Sequence, residues 1–473
     1  MYDIIIIGAG IIGSLLAREL SRYQLKVLVL EKNNDVGNET SNANSAIVHS
    51  GYDPEPNSLK ATLNVLGNAM YEKLCDELDV KFKRIGSITL AFNEEECKTL
   101  LMLHERAKTN HVETLILNKQ EVLEKEPLVN DNVLMGLYAP SAGIVDPFNL
   151  TIKAMENALD NQVELILNHQ VKEIIKQKDY FIIDKQYKSK IVINAAGLYS
   201  DEINNLICKE KYHLLPRKGE YYVLNHFTFP FVKHTLFLTP SINGKGVLIS
   251  PTTSNNYLIG PSADLVEKED KDTDKLTLNK IKIIAQKMLK NIPFDQTIRT
   301  FAAIRPTPTN HDFIIQESSI ENFINLIGIE SPGLASAPAI VKKVIQEIIA
   351  KKINLKEKEN FNPRVRKHFI LKELTIEEKN KLIQKDPSYG KIICRCEQVS
   401  AGEIYDVLNR NNPPRSIKAL KKRIRVGFGK CQGGMCQAAS LKILADFHHV
   451  DMQKIPYDNL PSYILDSKTK GGK

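Results

Sequence analysis

Apolar side chains run almost without a break from the start of the chain: YDIIII at 2–7 is dominated by isoleucine and reads as a buried strand. Apolar positions at helical spacing follow over 11–23, and LKVLVLE at 25–31 forms a second apolar run. Between strand and helix lies Gly8-Ala9-Gly10-Ile11-Ile12-Gly13, and Glu31 ends the second run. Strand, glycine turn, helix, strand and acid in that order predict a β-α-β dinucleotide-binding unit. Gly8 permits the tight turn, Gly10 lets a pyrophosphate approach the helix N-terminus, and Gly13 allows close helix–strand packing. Glu31 accepts hydrogen bonds from ribose hydroxyls. The fingerprint leaves FAD and NAD both open.

Further along, short β-like runs such as SITLAF, EYYVLN and HTLFL alternate with helical stretches over 76–144 and 206–304. They predict a discontinuous substrate domain interleaved with a cofactor domain at 1–75, 145–205 and 305–350, and ligands commonly bind between such domains. Residues 351–387 are charged and poor in glycine and read as a solvated linker. A small helical module is expected over 388–445, with a tail over 446–473. Within it, Ser400 and Glu403 stand at capping-box spacing before one helix. SIKALKKRIRVGF supplies a second helix carrying Lys418, Lys421, Lys422, Arg423 and Arg425. That basic face either offsets negative charge within the module, docks an acidic partner, or is simply solvated. Nucleic acid is disfavoured because no aromatic side chains interleave with the charges. The expected fold class is α/β: a Rossmann-like domain, an interleaved α+β domain and a helical C-terminal module.

Composition changes the picture little. A chain of 473 residues has room for about three domains, and 42% hydrophobic with 25% charged residues is an ordinary globular balance. No stretch reaches the roughly 18 continuous apolar residues of a membrane span. Asp3 occupies the place of a signal peptide's basic region, so a cytoplasmic protein is expected. The net charge of +8 comes from scattered lysines and is compatible with anionic small molecules or an acidic protein partner.

The seven cysteines are more informative. Cys75, Cys97 and Cys208 stand alone, whereas Cys394, Cys396, Cys431 and Cys436 form two pairs in CRCE and CQGGMC. In a reducing compartment such clustering favours metal or redox chemistry over disulfides. Four thiolates suit zinc or an iron–sulfur cluster, although C-x-C is atypical of structural zinc. Glycines beside ligating thiolates let backbone N–H groups turn toward sulfur.

The Ser- and Asn-rich stretch TSNANSAIVHSGYDPEPNSLK at 40–60 resembles a segment of the FAD-dependent amino-acid-oxidase-like superfamily, in its branch of glycerol-3-phosphate and L-2-hydroxyglutarate dehydrogenases. YAPSAGIVDPFNL, VINAAGLYSDEI, RKGEYYVL, FAAIRPTPTNHDFII and LIGIESPGL follow in that family's order and extend the resemblance over about residues 1–345. The segment 392–440 resembles the small [2Fe-2S] domain of bacterioferritin-associated ferredoxin and of anaerobic glycerol-3-phosphate dehydrogenase large subunits.

These resemblances imply FAD and a [2Fe-2S] cluster as cofactors. Ser41, Asn44 and Ser45 are expected to pass beside the flavin, and the backbone around Ala195, Ala196 and Gly197 to approach the dinucleotide. Gly328, Gly333 and Leu334 are expected to complete the cofactor site, and the four clustered cysteines to hold the cluster. Arg305 is the expected substrate anchor, because its charged fork suits a carboxylate or phosphate. His49, with an imidazole suited to taking a hydroxyl proton, is the candidate general base, with contact to the flavin or covalent attachment to it as the alternatives. Lys218, Tyr221 and Tyr222 are secondary candidates, and the two neighbouring tyrosines cannot both face the pocket.

The expected activity is oxidation of the secondary alcohol of a small anionic substrate, foremost sn-glycerol 3-phosphate to dihydroxyacetone phosphate. Electrons are expected to leave through the cluster to an acceptor other than oxygen, such as another flavoprotein or iron–sulfur subunit, which could also bring peripheral membrane association. L-2-hydroxyglutarate stands second, because GIESPGL lacks the lysine of respiratory glycerol-3-phosphate dehydrogenases. Amine or opine oxidation, a non-catalytic electron-transfer subunit and a zinc-bearing interaction protein are the further alternatives.

Overall fold

Strand Tyr2–Ile7 is the centre of the first sheet, and both of its faces are covered. Ile4 and Ile6 point into one apolar cluster, while Ile5 and Ile7 point into another. A strand buried on both sides reads as a continuous apolar run, which is why YDIIII lacks polar alternation. The strands Glu164–Ile166, Val27–Leu30, Tyr2–Ile7, Tyr187–Asn194 and Phe323–Ile327 lie in parallel in that order. Ile314–Glu317 closes one edge antiparallel, and the hairpin Ile174–Lys176 and Phe181–Ile183 joins the first half of Tyr187–Asn194. Helix Ile11–Leu20 packs between this sheet and helices Pro147–Asp160 and Gly333–Lys343. The computed structural model describes residues 1–227, 230–240 and 246–467.

Among the described residues, a second sheet of nine strands stands over the first. Its longest strands, Leu214–Leu224 and Thr297–Pro308, pair antiparallel along almost their whole length. The expected boundary between 304 and 305 falls inside Thr297–Pro308, so Arg305 belongs to the second sheet and reaches the cofactor domain from across the interface.

The connector is a correction to the sequence-based expectation. Residues 351–387 do not run free in solvent. Lys358 N–H donates to the Arg22 carbonyl at 2.8 Å, Val365 N–H to that of Glu77 at 3.1 Å, and Val365 and Leu371 are buried. Its one regular helix, Ile376–Lys385, starts in a capping box formed by Thr375 and Glu378. The tail returns as well: Asn459 and Asp458 bond to Asn33, Asn34 and Asn38 of the first domain.

The C-terminal module has its own apolar core, with Cys394, Ile404, Leu420, Cys436 and Leu444 among its buried members. Ser400 and Glu403 form the expected capping box. Part of the basic face of helix Ile417–Ile424 is turned inward rather than solvated. Lys422 and Arg423 are buried against Asp35, with Lys422 at 2.8 Å and Arg423 donating in a bidentate fork at 2.9 Å per arm. Burial opposes ionisation of Asp35, yet Arg423 and Lys422 outweigh it and hold the carboxyl well below the usual range. Arg410 adds a second bridge, to Glu156 at 2.9 Å, and Phe148 stacks on Phe428 at 5.8 Å between ring centres. Among the described residues, no helix is long and apolar enough to cross a membrane.

Candidate active site and cluster module

The glycine turn forms the waist of a two-lobed groove. Gly8 has φ +103°, and a Cβ there would stand 2.6 Å from the Ala195 carbonyl oxygen. A Cβ on Gly13 would fall 1.9 Å from the Gly8 carbonyl oxygen, so only glycine lets the helix start this close to the strand. Ser41 Oγ accepts from Ile11 N–H at 2.9 Å and ties the 40–46 segment to the helix N-terminus. Asn44 holds that segment in shape, donating to the Thr40 and Ser41 carbonyls and accepting from Ala46 N–H at 2.8 Å.

One lobe, of about 360 Å³, lies beside Glu31, Ala196, Gly197 and Tyr199. The Glu31 carboxylate accepts from Ala9 N–H at 2.7 Å and Asn33 N–H at 2.9 Å, so it organises the glycine turn as well as facing the lobe. Burial pushes its carboxyl up, against these two N–H groups. The other lobe, of about 160 Å³, is lined by Asn44, Ser45, His49, Tyr221, Arg305, Gly333 and Leu334. Gly10, Thr40, Ser41, Ala195 and Gly197 line both. Two lobes joined at a helix N-terminus fit a dinucleotide whose pyrophosphate sits at the waist.

The second sheet decides which candidates meet in the flavin lobe. Tyr221 faces it, stacked on Phe301 at 4.8 Å with its hydroxyl 3.4 Å from Ser45 Oγ. Burial raises its phenol, opposed by the charge of Arg305 and the bond to Ser45. Tyr222 points the other way, onto Phe294, as strand parity required. The same parity removes Lys218 from the site: it lies on the far face, with its ammonium 2.9 Å from Asp270 and 3.0 Å from the Asp272 carbonyl. Replacing Lys218 with methionine is therefore expected to leave kcat/KM within about threefold, the scale of an uninvolved residue. Steady-state kinetics check this, and a hundredfold loss would return Lys218 to the site.

His49 lines the flavin lobe, its ring 5.8 Å from that of Phe237, and its carbonyl is clamped by the Asn64 and Asn68 amides. Arg305 donates to the Ser262 carbonyl at 2.9 Å, while among the described residues its buried Nε has no partner. Directly opposite it in the antiparallel register is Arg217, whose buried Nε is likewise without a partner. Sequence reasoning passed over Arg217, because only the pairing register brings two arginines face to face. Gly328 is outside the lobes: at φ +71° its missing side chain makes room for Pro308, 2.5 Å from where a Cβ would be. Glu330, also missed, lines the flavin lobe and is held by Lys60 at 2.9 Å and Thr307 at 2.8 Å.

In the C-terminal module the four cysteines meet as two pairs. Cys396 and Cys431 are 3.8 Å apart near the surface, and Cys394 and Cys436 lie buried in the module's core. Among the described residues, no group of three or more His, Cys, Asp or Glu side chains is arranged around a single metal ion. Two thiol pairs match two irons that each take two thiolates, rather than one tetrahedral zinc. The Cys436 thiol, with the N–H groups of Gly427 and Glu397, lowers the Cys394 thiol against burial, and the N–H groups of Met435 and Gly433 lower that of Cys431. Gly429 has no room for a side chain, since its Cβ would stand 2.3 Å from that of Cys396. These four cysteines are the residues that would hold the cluster.

Fold and groove together define a flavin-dependent oxidoreductase with an appended cysteine-cluster module. The family model "FAD dependent oxidoreductase" matches residues 3–346, and "BFD-like [2Fe-2S] binding domain" matches residues 392–446. The chain belongs to the FAD dependent oxidoreductase family. It is 47% identical to the glycerol 3-phosphate dehydrogenase of Caloramator mitchellensis over 99% of both chains. It is 37% identical to the glycerol 3-phosphate oxidase of Mycoplasma genitalium over 76% of this chain and 97% of that one. Among solved structures, the L-alpha-glycerophosphate oxidase of Mycoplasma pneumoniae with FAD bound superposes with a TM-score of 0.75 at 32% identity, over 78% of this chain and 99% of that one.

Proposed function

We propose that the protein oxidises sn-glycerol 3-phosphate to dihydroxyacetone phosphate and delivers the electrons to an acceptor other than oxygen. The observation that carries this reading is Arg305 at the flavin lobe, with Arg217 directly opposite it in the sheet. Like charges directly opposite in a sheet repel, and a dianionic phosphate beside them offsets that repulsion while satisfying the buried Nε atoms. The dehydrogenase relative, similar along its entire length, supports the substrate; the oxidase relative matches only 76% of this chain, which supports a different acceptor for the longer protein.

Bound FAD supplies a two-electron acceptor for the hydrogen on the carbinol carbon, and the [2Fe-2S] cluster supplies single-electron exchange. The chain's own groups do the rest. Arg305 and Arg217 hold the anion, while Tyr221 and Ser45 line the wall against which the substrate is oriented. His49 takes the hydroxyl proton. Phe237 and Leu248 keep that end of the lobe apolar, which strengthens the arginine–anion attraction.

Anaerobic mixing with glycerol 3-phosphate, L-2-hydroxyglutarate and glycine in parallel tests the proposal. Flavin absorbance is expected to bleach with glycerol 3-phosphate alone. Bleaching by 2-hydroxyglutarate instead would move the assignment to the hydroxy-acid branch, and bleaching by none would favour the electron-transfer subunit.

A further inference from the structure

A third chamber, of about 510 Å³, lies between the flavin domain and the cluster module. Its volume falls inside the range of roughly 300–1,000 Å³ typical of small-molecule sites. One wall is helix Ile417–Ile424 with Phe428, and the opposite wall is the outer side of the 40–46 segment and strand Thr297–Pro308.

Its electrostatics do not balance. Among the described residues six cations line it, and four are committed: Lys271 to Glu39, Lys418 to Asp458, Lys422 to Asp35 and Arg425 to Glu397. Lys421 and Arg299 remain. Lys421 is only 4% exposed, and among the described residues its ammonium contacts no carboxylate; it meets the Tyr457 hydroxyl at 3.2 Å and the faces of Phe428 and Tyr457. Of the remaining acids on the walls, Asp146 caps helix Pro147–Asp160 and Asp272 is exposed. Together with Lys418, the two unmatched cations outweigh burial and lower the Tyr457 phenol. A buried ammonium without a counter-ion, facing an open chamber, is a costly arrangement unless an anion enters.

We propose that this chamber binds a phosphate-bearing heteroaromatic molecule of mononucleotide size. Lys421 and Arg299 would take the phosphate, and Phe301 offers a face for a ring. The site is separate from the dinucleotide groove and stands whichever substrate the flavin lobe accepts.

Calorimetric titration of the FAD- and iron-loaded protein with AMP, UMP, adenosine and inorganic phosphate is the test. At least one nucleotide is expected to bind at one per chain, about tenfold or more tighter than adenosine or phosphate, with flavin absorbance retained. Lys421→Met is expected to weaken it about tenfold or more while anaerobic flavin reduction by substrate is unchanged. Arg299→Ala, an exposed change in the other domain, is expected to weaken it too, and guards against a folding defect in the first variant. Absence of saturable nucleotide binding, or binding indifferent to both substitutions, would overturn the site. Phosphate binding as tightly as the nucleotides would overturn its aromatic half.

Discussion

Arg305→Met is expected to lower kcat/KM for glycerol 3-phosphate by about 30- to 5,000-fold, with the flavin still bound. The estimate follows from the roughly 2–5 kcal/mol that truncating one partner of a buried, charge-assisted contact costs. Methionine keeps most of the volume, so the strand and its pairing with Leu214–Leu224 should persist. Arg305→Lys separates charge from shape. If the fork matters, lysine recovers little of the loss, because a point charge cannot reproduce two parallel N–H bonds. Pre-steady-state flavin reduction is the measurement, and an Arg305→Met enzyme that bleaches at the unaltered rate would show that the anion is held elsewhere.

Asp35→Ala is expected to undock the cluster module. It leaves Lys422 and Arg423 buried without their acid, an exchange that costs about 3–5 kcal/mol. Replacing all three by apolar residues of similar volume is expected to restore most of the stability, since desolvation of the ions disappears with them. Urea midpoints of the two variants, with proteolysis of the 351–387 connector as a reporter of undocking, distinguish a true ion cluster from incidental packing. The pH dependence has a definite sign. Asp35 titrates below its unfolded value, as does Asp406, held down to about 2 against burial by His368, Arg410 and Arg366. Their stabilisation is therefore complete above the unfolded carboxylate range, near pH 4, and is lost as pH falls through the folded values. Docking should be flat from pH 7 to about pH 5 and weaken below it.

What the sequence made legible was local. The β-α-β fingerprint needs only the residues from Tyr2 to Glu31, and the Ser400–Glu403 capping box spans four positions, so short-range pattern suffices for both. The separation of Tyr221 from Tyr222 also followed from parity alone. Lys218 failed by the same rule: once Tyr221 faces the lobe, a residue three positions away on the strand cannot, unless a bulge intervenes. Arg217 and Arg305 become a pair only through register, and Asp35 meets Arg423 across 388 positions of chain. Neither contact leaves a mark in its own neighbourhood. The basic helix was misjudged for this reason, since its burial is dictated by an acid near the other end of the protein.

The partition between the flavin lobe and the inter-domain chamber is thin: Thr40, Ala43, Asn44, Ala46 and Ala303 line both. A shared partition makes the two compartments thermodynamically reciprocal. Any shift of the 40–46 segment that an occupant of one chamber favours changes affinity in the other, and by linkage the factor is the same in both directions. The 40–46 segment is thus the physical means by which an occupant of the proposed inter-domain site would bias what sits in the flavin lobe, with no change in the position of either domain.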